Sequence, residues 1–222
     1  AWFVTPIVII FMWIFGSGRS NYIVYHYFLW QYYGKQALSM RKETCMIFIE
    51  TDRLKLRNVK AKDAAIMHDY RNNKICTRYQ RGQTKDYDGI AALVERRKDD
   101  ILSVDSPAMI AVAFKDTDEM IGEIVVMPGD GVISLGYTIS YKYHRKGYAF
   151  EALSALINLL HEQYPKWKFV SLTEPENVPG MALLKKLGYK DAGYDTGTES
   201  QIFEKWTGSA ETEGPEGIPQ NL

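Results

Sequence analysis

Between residues 46 and 206 the spacing of hydrophobic positions changes several times, and each change marks an element. Short apolar, branched or aromatic runs at 47–50, 54–56, 109–114, 120–127, 132–139 and 168–172 are what strands require. A 3.6-residue period replaces them from 147 to about 161, where Ala149, Ala152, Leu153, Leu156 and Leu160 share one face. A second helical stretch covers about 179–187, with Pro179 at its start and Gly188 at its end. Asp63 ahead of Ile66 and Tyr70, and Asp88 ahead of Ile90 and Leu93, are the expected N-caps of two further helices, with polar, irregular sequence at 74–86 between them. Polar turns at 115–119 and 128–131 make 109–139 three antiparallel strands. The helix from 147 then joins 132–139 to 168–172, a strand–helix–strand passage that implies a right-handed crossover and a parallel pair. Segments 189–194 and 201–206 suggest a closing hairpin. The expected class is α/β with α+β character, a mixed sheet flanked by helices.

The two ends differ from this pattern. Residues 1–39 hold 12 of the 29 aromatic residues, no acidic residue, and only Arg19 and Lys35 as fixed charges. Their first apolar run, 2–15, is short for a membrane span and is interrupted by Pro6. It lacks the basic start and small-residue cleavage site of a signal peptide. Ala1 is no initiator and Met40 opens a sensible domain, so 1–39 is expected to be non-native upstream sequence. The alternatives are a membrane-anchoring hairpin, a surface-bound amphipathic segment or a partner contact. The domain is expected to cover 40–206. Residues 207–222, rich in Gly, Pro and Glu, are expected to be a flexible tail.

Composition narrows the function. The chain is 46% hydrophobic and 24% charged with zero formal net charge, which argues against a broad nucleic-acid-binding surface. Cys45 and Cys76 make neither a disulfide scaffold nor a metal cluster and read as free thiols of a reducing, cytoplasmic compartment, with a bond between them left open. The four histidines lack ligand spacing, and no metal is expected. The expected assembly is a monomer or homodimer.

The candidate chemistry lies at 144–149, His-Arg-Lys-Gly-Tyr-Ala, between a strand and a long helix. A helix N-terminus offers unpaired N–H groups and partial positive charge, Gly147 permits close backbone approach, and Arg145 and Lys146 add cations. That is a diphosphate cradle without the Gly-Lys-Ser/Thr ending of a P-loop. Taken alone it is also an ordinary basic turn.

The wider sequence resembles the GNAT superfamily of N-acetyltransferases. Its acyl-CoA signature, Gln/Arg-x-x-Gly-x-Gly/Ala, appears as His144 to Ala149, with His144 departing from the usual first residue. Leu135-Gly136-Tyr137-Thr138-Ile139 precedes it and Glu151-Ala152-Leu153 follows. A block from Asn177 through Leu187-Gly188-Tyr189 and an opening block from Ile49 to Arg57 complete a likeness to the ribosomal-protein N-terminal acetyltransferase branch, spanning about 46–206.

The resemblance implies a GNAT acyl-CoA N-acyltransferase fold whose strands 132–139 and 168–172 splay apart. Acetyl-CoA is the implied co-substrate. Its arm would lie along Ile139, Ser140 and Tyr141 and its diphosphate on the N–H groups of Arg145, Lys146, Gly147, Tyr148 and Ala149, with His144 supporting that loop or serving as a switchable base, and Asn177 nearby. Asn177 also reads as a plain helix cap. The implied reaction is direct attack of an amine on the thioester, the acceptor being a protein N-terminus, a polyamine or an antibiotic. It needs a base, stabilisation of the developing oxyanion, and protonation of the thiolate. The family's usual tyrosine acid falls on Leu184 and the glutamate base of some relatives near Leu172, both inert. Gly180 replaces a frequent serine. Glu123, Tyr137 and Ser171 are the remaining catalytic candidates. Glu123 could act as a base through water or sit in a local salt bridge, Tyr137 could orient substrate or pack, and Ser171 could do likewise. With both familiar groups absent, a non-enzymatic acyl-CoA sensor is the alternative.

Overall fold

The computed structural model describes residues 46–206; the readings for 1–39, 207–222 and Cys45 lie outside them. Eight strands form one sheet: β1 (Ile47–Glu50), β2 (Leu54–Asn58), β3 (Ala108–Phe114), β4 (Met120–Gly129), β5 (Val132–Ile139), β6 (Lys168–Thr173), β7 (Lys190–Asp195) and β8 (Ser200–Lys205). Their order is β1-β2-β3-β4-β5-β6-β8-β7. Every neighbouring pair is antiparallel except β5 and β6, which the crossover makes parallel.

The period-two pattern divides the sheet into two faces. Ile110, Val112, Ile124, Ile133, Leu135 and Phe169 pack against α4 (Tyr148–Gln163) and α5 (Val178–Lys186). On the other face Met109, Ala111 and Met120 meet α1 (Ala64–Asn72) and α3 (Tyr87–Arg97), with the four-residue α2 (Lys74–Thr77) between them. Fully buried Phe169, Phe203 and Leu156 each contribute roughly 1.5–3 kcal/mol by leaving water.

Two expected caps are corrected. Asp63 stands at the start of α1 but makes no side-chain cap; its carboxylate is taken by Arg57 (2.7 and 3.0 Å) and the Lys60 N–H (2.8 Å). For α3 the cap is Asp86, which accepts from Gly89 N–H at 2.7 Å, and Asp88 lies inside the first turn. Within 74–86, expected to be irregular, Asn73 caps α2 by accepting from Ile75 N–H at 2.9 Å.

One irregularity prepares the site. β3 and β4 slip register between Val112 and Ala113, opposite Gly122 and Met120. A Cβ on Gly122 would stand 2.4 Å from the Thr138 carbonyl oxygen, so only glycine lets β4 approach β5 this closely just before Glu123.

Candidate active site

The parallel ladder between β5 and β6 ends early. It pairs Val132 with Lys168, Ile133 with Phe169 and Ser134 with Val170, then stops, although β5 continues to Ile139 and β6 to Thr173. The two strands part after Ser134 and Val170, which is the expected splay. The Ser140 N–H donates to the Ile121 carbonyl at 2.8 Å, turning that group toward β4. By strand alternation the N–H and C=O of Leu135, Tyr137 and Ile139 turn toward the gap. The Tyr137 carbonyl accepts from Gln80 Nε2 (3.1 Å), and the Ile139 carbonyl from His144 Nε2 (2.8 Å) and the Cys76 thiol (3.5 Å). The Ser140 carbonyl also accepts, from Tyr143 N–H at 2.9 Å, so neither backbone group of Ser140 is left for the cofactor arm expected along 139–141.

At the end of the gap stands the turn before α4. Gly147 caps the helix at φ 81° and ψ 0°, and Arg145 also has positive φ, 60°. Alternating handedness of this kind turns successive N–H groups into one concavity, an anion nest continued by the first turn of a 16-residue helix. Arg145, Lys146 and Gly147 are exposed and Tyr148 is half-buried.

Sequence reading missed Arg53 as part of this turn. Its Nη1 donates to the Lys146 carbonyl (3.2 Å) and its Nε to Glu151 (2.7 Å), while its guanidinium lies 4.4 Å from the Tyr148 ring centroid. Thr51 Oγ1 and the Arg53 N–H also donate to Glu151, at 2.6 and 3.1 Å. Burial would raise the Glu151 carboxyl, but the bonds from Thr51 and Arg53 outweigh it and hold it below the usual range. Arg53 lies inside the recognisable opening block, but its contact with residues 93 and 98 positions away leaves no local signal.

The candidate catalytic residues fall on opposite faces. Glu123 is paired in register with Thr138 and faces α1. It is 2% exposed, and Arg71 donates to it through Nε (3.0 Å) and through Nη2 to both oxygens (2.7 Å each). The reading of Glu123 as a base acting through water meets this obstacle: its carboxylate is already closed into a buried ion pair. Beside it the buried Tyr70 hydroxyl lacks a partner with hydrogen-bond geometry. Burial, and then the Glu123 charge, push that hydroxyl well above the ordinary tyrosine value.

Tyr137 and Ser171 share the α4–α5 face with Leu184, which is buried at 4%. Burial pushes Tyr137 and Tyr189 up to about 12, so both remain proton donors at neutral pH. The Ser171 hydroxyl is buried without a hydrogen-bond partner, close enough to Tyr189 to influence it but outside bonding geometry. Asn177 does cap α5, accepting from Gly180 N–H at 3.0 Å, and its Nδ2 donates to Thr173 Oγ1 at 3.0 Å, tying the helix to the open end of β6. Leu172 is 46% exposed on the Thr138 face. Among the described residues no group of three or more His, Cys, Asp or Glu is placed to hold a metal ion.

A family model described as an acetyltransferase (GNAT) domain matches residues 53–190. The chain is similar to YnaD of Bacillus subtilis, an uncharacterized N-acetyltransferase, at 26% identity over 148 residues, which covers 66% of this chain and 84% of that one. In structure it is similar to a GNAT-family acetyltransferase from Bacillus anthracis, with a TM-score of 0.61 and 21% identity over 72% of this chain and 96% of the other. It is also similar to RimL, a ribosomal L7/L12 α-N-protein acetyltransferase solved with coenzyme A, with a TM-score of 0.62 and 13% identity over 72% and 98%. At these identities the structural likenesses concern the fold.

Proposed function

The chain belongs to the GNAT acetyltransferase family, and from that premise we propose that it transfers the acetyl group of acetyl-CoA to a primary amine by direct attack, a peptide N-terminus being the first acceptor class to test. The observation that carries this reading is the parting of β5 from β6 directly beside the nest at 145–149. The residues fit the donor. The nest offers N–H groups to the diphosphate, with Arg145, Lys146 and Arg53 as cations around it. Tyr137 and Ile139 turn N–H groups toward the gap, suited to the amide carbonyls of the pantetheine arm, while His144 holds the Ile139 carbonyl. A bound acetyl-CoA supplies an activated thioester.

The roles of the catalytic candidates belong to the same proposal. Tyr137, protonated at neutral pH and facing α5, has a hydroxyl suited to donating to the departing thiolate in place of Leu184. Ser171, whose hydroxyl has no partner of its own, supports it on the same face. Glu123 acts by position: it fixes Arg71, whose Nη1 donates to the Thr84 carbonyl at 3.3 Å and so holds the α2–α3 loop against the sheet. The exposed Leu172 on that face and the amide-rich loop make a surface of mixed character, suited to an extended peptide.

The test is a thiol-release screen with acetyl-CoA against peptides of varied first residue, polyamines and aminoglycosides. Release with free-amine peptides and none with their N-acetylated forms is the expected result. Preference for a polyamine or aminoglycoside reassigns the acceptor, and no release with any amine overturns the reading.

A further inference from the structure

Residues 70–85 carry five cations, Arg71, Lys74, Arg78, Arg81 and Lys85, and no acidic residue. The fold lays this stretch along the gap. The Cys76 thiol donates to the Ile139 carbonyl (3.5 Å) and Gln80 Nε2 to the Tyr137 carbonyl (3.1 Å), two acceptors that β5 turns toward the opening. Gln83 Nε2 donates to Gln80 Oε1 (3.4 Å) and to Thr138 Oγ1 (3.3 Å), which seats the loop beyond on the same strand. Arg78 stands two residues from Cys76 and two from Gln80. Its Cα therefore lies within about 7 Å of theirs, at the mouth of the gap.

Most carboxylates around that mouth already have partners. Glu123 is closed onto Arg71, Asp69 pairs with Lys142 at 2.8 Å, and Glu174 pairs with Arg81. Arg81 also donates to the Thr198 and Glu199 carbonyls (3.1 and 3.5 Å), and the Glu199 charge acts on it. Asp86 accepts from the Gly89 N–H, and Glu176 is exposed further along the β6–α5 loop. Lys74, Arg78 and Lys85 are exposed, and none of them pairs with a carboxylate among the described residues. The Arg78 guanidinium has only the ring of its neighbour Tyr79, 5.2 Å from the centroid. Cations left without counter-charge beside a binding gap attract an anion and repel a cation.

We infer that the acceptor is an anionic amine: it carries a carboxylate close to its reactive amine, and Arg78 receives that carboxylate at the mouth of the gap. This rests on the acetyl-transfer reading above and narrows its acceptor class. An acidic side chain just after a peptide's free N-terminus and the α-carboxylate of a free amino acid offer the same chemistry. A polyamine or aminoglycoside offers the opposite charge. Arginine suits the role because its planar guanidinium takes a carboxylate through two parallel N–H bonds.

The experiment uses the full chain with acetyl-CoA. The acceptors are peptides beginning Ala-Asp-Glu, Ala-Asn-Gln and Ala-Arg-Arg, all amidated at the C-terminus, with alanine, alaninamide and spermidine as small probes. At about 50 mM salt, kcat/KM for the acidic peptide should exceed that of its amide counterpart about fivefold, and the margin should shrink at about 300 mM, as for an exposed ion pair. Arg78→Ala should remove the margin and Arg78→Lys should keep most of it. Arg78→Glu should shift the preference to the Ala-Arg-Arg peptide. The acetyl-CoA KM should stay within twofold of wild type throughout. A margin between alanine and alaninamide that disappears in Arg78→Ala upholds the assignment with an amino acid's own carboxylate as the anion. Equal kcat/KM for charged and amide acceptors, a wild-type preference for spermidine or the Ala-Arg-Arg peptide, or a margin that survives Arg78→Glu overturns the assignment while leaving acetyl transfer intact. Absence of turnover by the wild type with every amine ends the parent reading, and this one with it.

Discussion

Arg71 and Glu123 come from positions 52 residues apart and meet with side chains 4% and 3% exposed. Such a pair gives little net stability over an apolar replacement, but losing one partner leaves the other charge buried and unmatched. Glu123→Ala should therefore cost about 3–5 kcal/mol, read as a lower denaturant midpoint. Glu123→Gln should lower the midpoint less and leave the shape of the pH–rate profile of acetyl transfer unaltered. Loss of the rising limb in Glu123→Gln would restore Glu123 as a base. The sequence places Glu123 on a central strand, since strand parity is local. It does not identify Arg71 as the partner, because nothing near Glu123 marks a guanidinium on α1. Arg53 was hidden at the turn for the same reason, and so was the Gln80–Gln83 relay in a stretch that reads only as polar.

At the scale of elements, α4 follows most directly from local sequence. Its apolar face was visible as a period, and its start at Tyr148 follows from Gly147, whose φ of 81° suits a residue without Cβ. Gly147→Ala should weaken coenzyme A binding several-fold, because alanine at positive φ costs on the order of 1 kcal/mol and pulls the nest out of shape. Gly147→Glu should abolish binding: its Cβ would sit 3.5 Å from Arg53 Nη2, and its carboxylate would compete with both Glu151 and the diphosphate. Calorimetric titration with coenzyme A, alongside a melting curve, separates the two effects. Binding of wild-type strength by Gly147→Glu would show that this turn does not hold the donor. Helix starts were read less well than helix faces. A cap depends on which of several nearby carboxylates has a rival partner, and for Asp63 that rival is Arg57.

At the scale of the molecule, carboxylates fastened into charge networks set the response to acid. Burial alone would raise the Asp118 carboxyl, but hydrogen bonds from Lys60, Lys62 and Arg57 outweigh it and hold it far below its ordinary 3.8. Glu151 is likewise held below 4.5. In both cases the unfolded chain takes up the proton first as pH falls. Their stabilisation is therefore complete above about pH 5 and is lost progressively below it. Tyr137 and Tyr189, pushed up to about 12 from 10, act in the opposite range, since the unfolded chain ionises first and stability falls from pH 10 upward. The melting temperature should be level between about pH 5 and 9, above which the buried Cys76 thiol, pushed up by burial, joins the tyrosines, and it should fall on both sides. Asp118→Asn should flatten part of the acid limb, and an identical acid limb in that variant would remove Asp118 from the account. Among the described residues no helix is long and apolar enough to cross a membrane. Apart from the short α2, the succession of strands and helices, the faces they bury, the parallel crossing at β5–β6 and the signature turn were legible along the chain, because periodicity and turn chemistry act over a few residues. Where that crossing opens, the locking of Glu123 to Arg71, the bracing of the turn by Arg53 and the Gln80–Gln83 contact emerge from the folded arrangement alone. Each of those depends on hydrogen-bonding partners that chain folding, not sequence proximity, brings within reach.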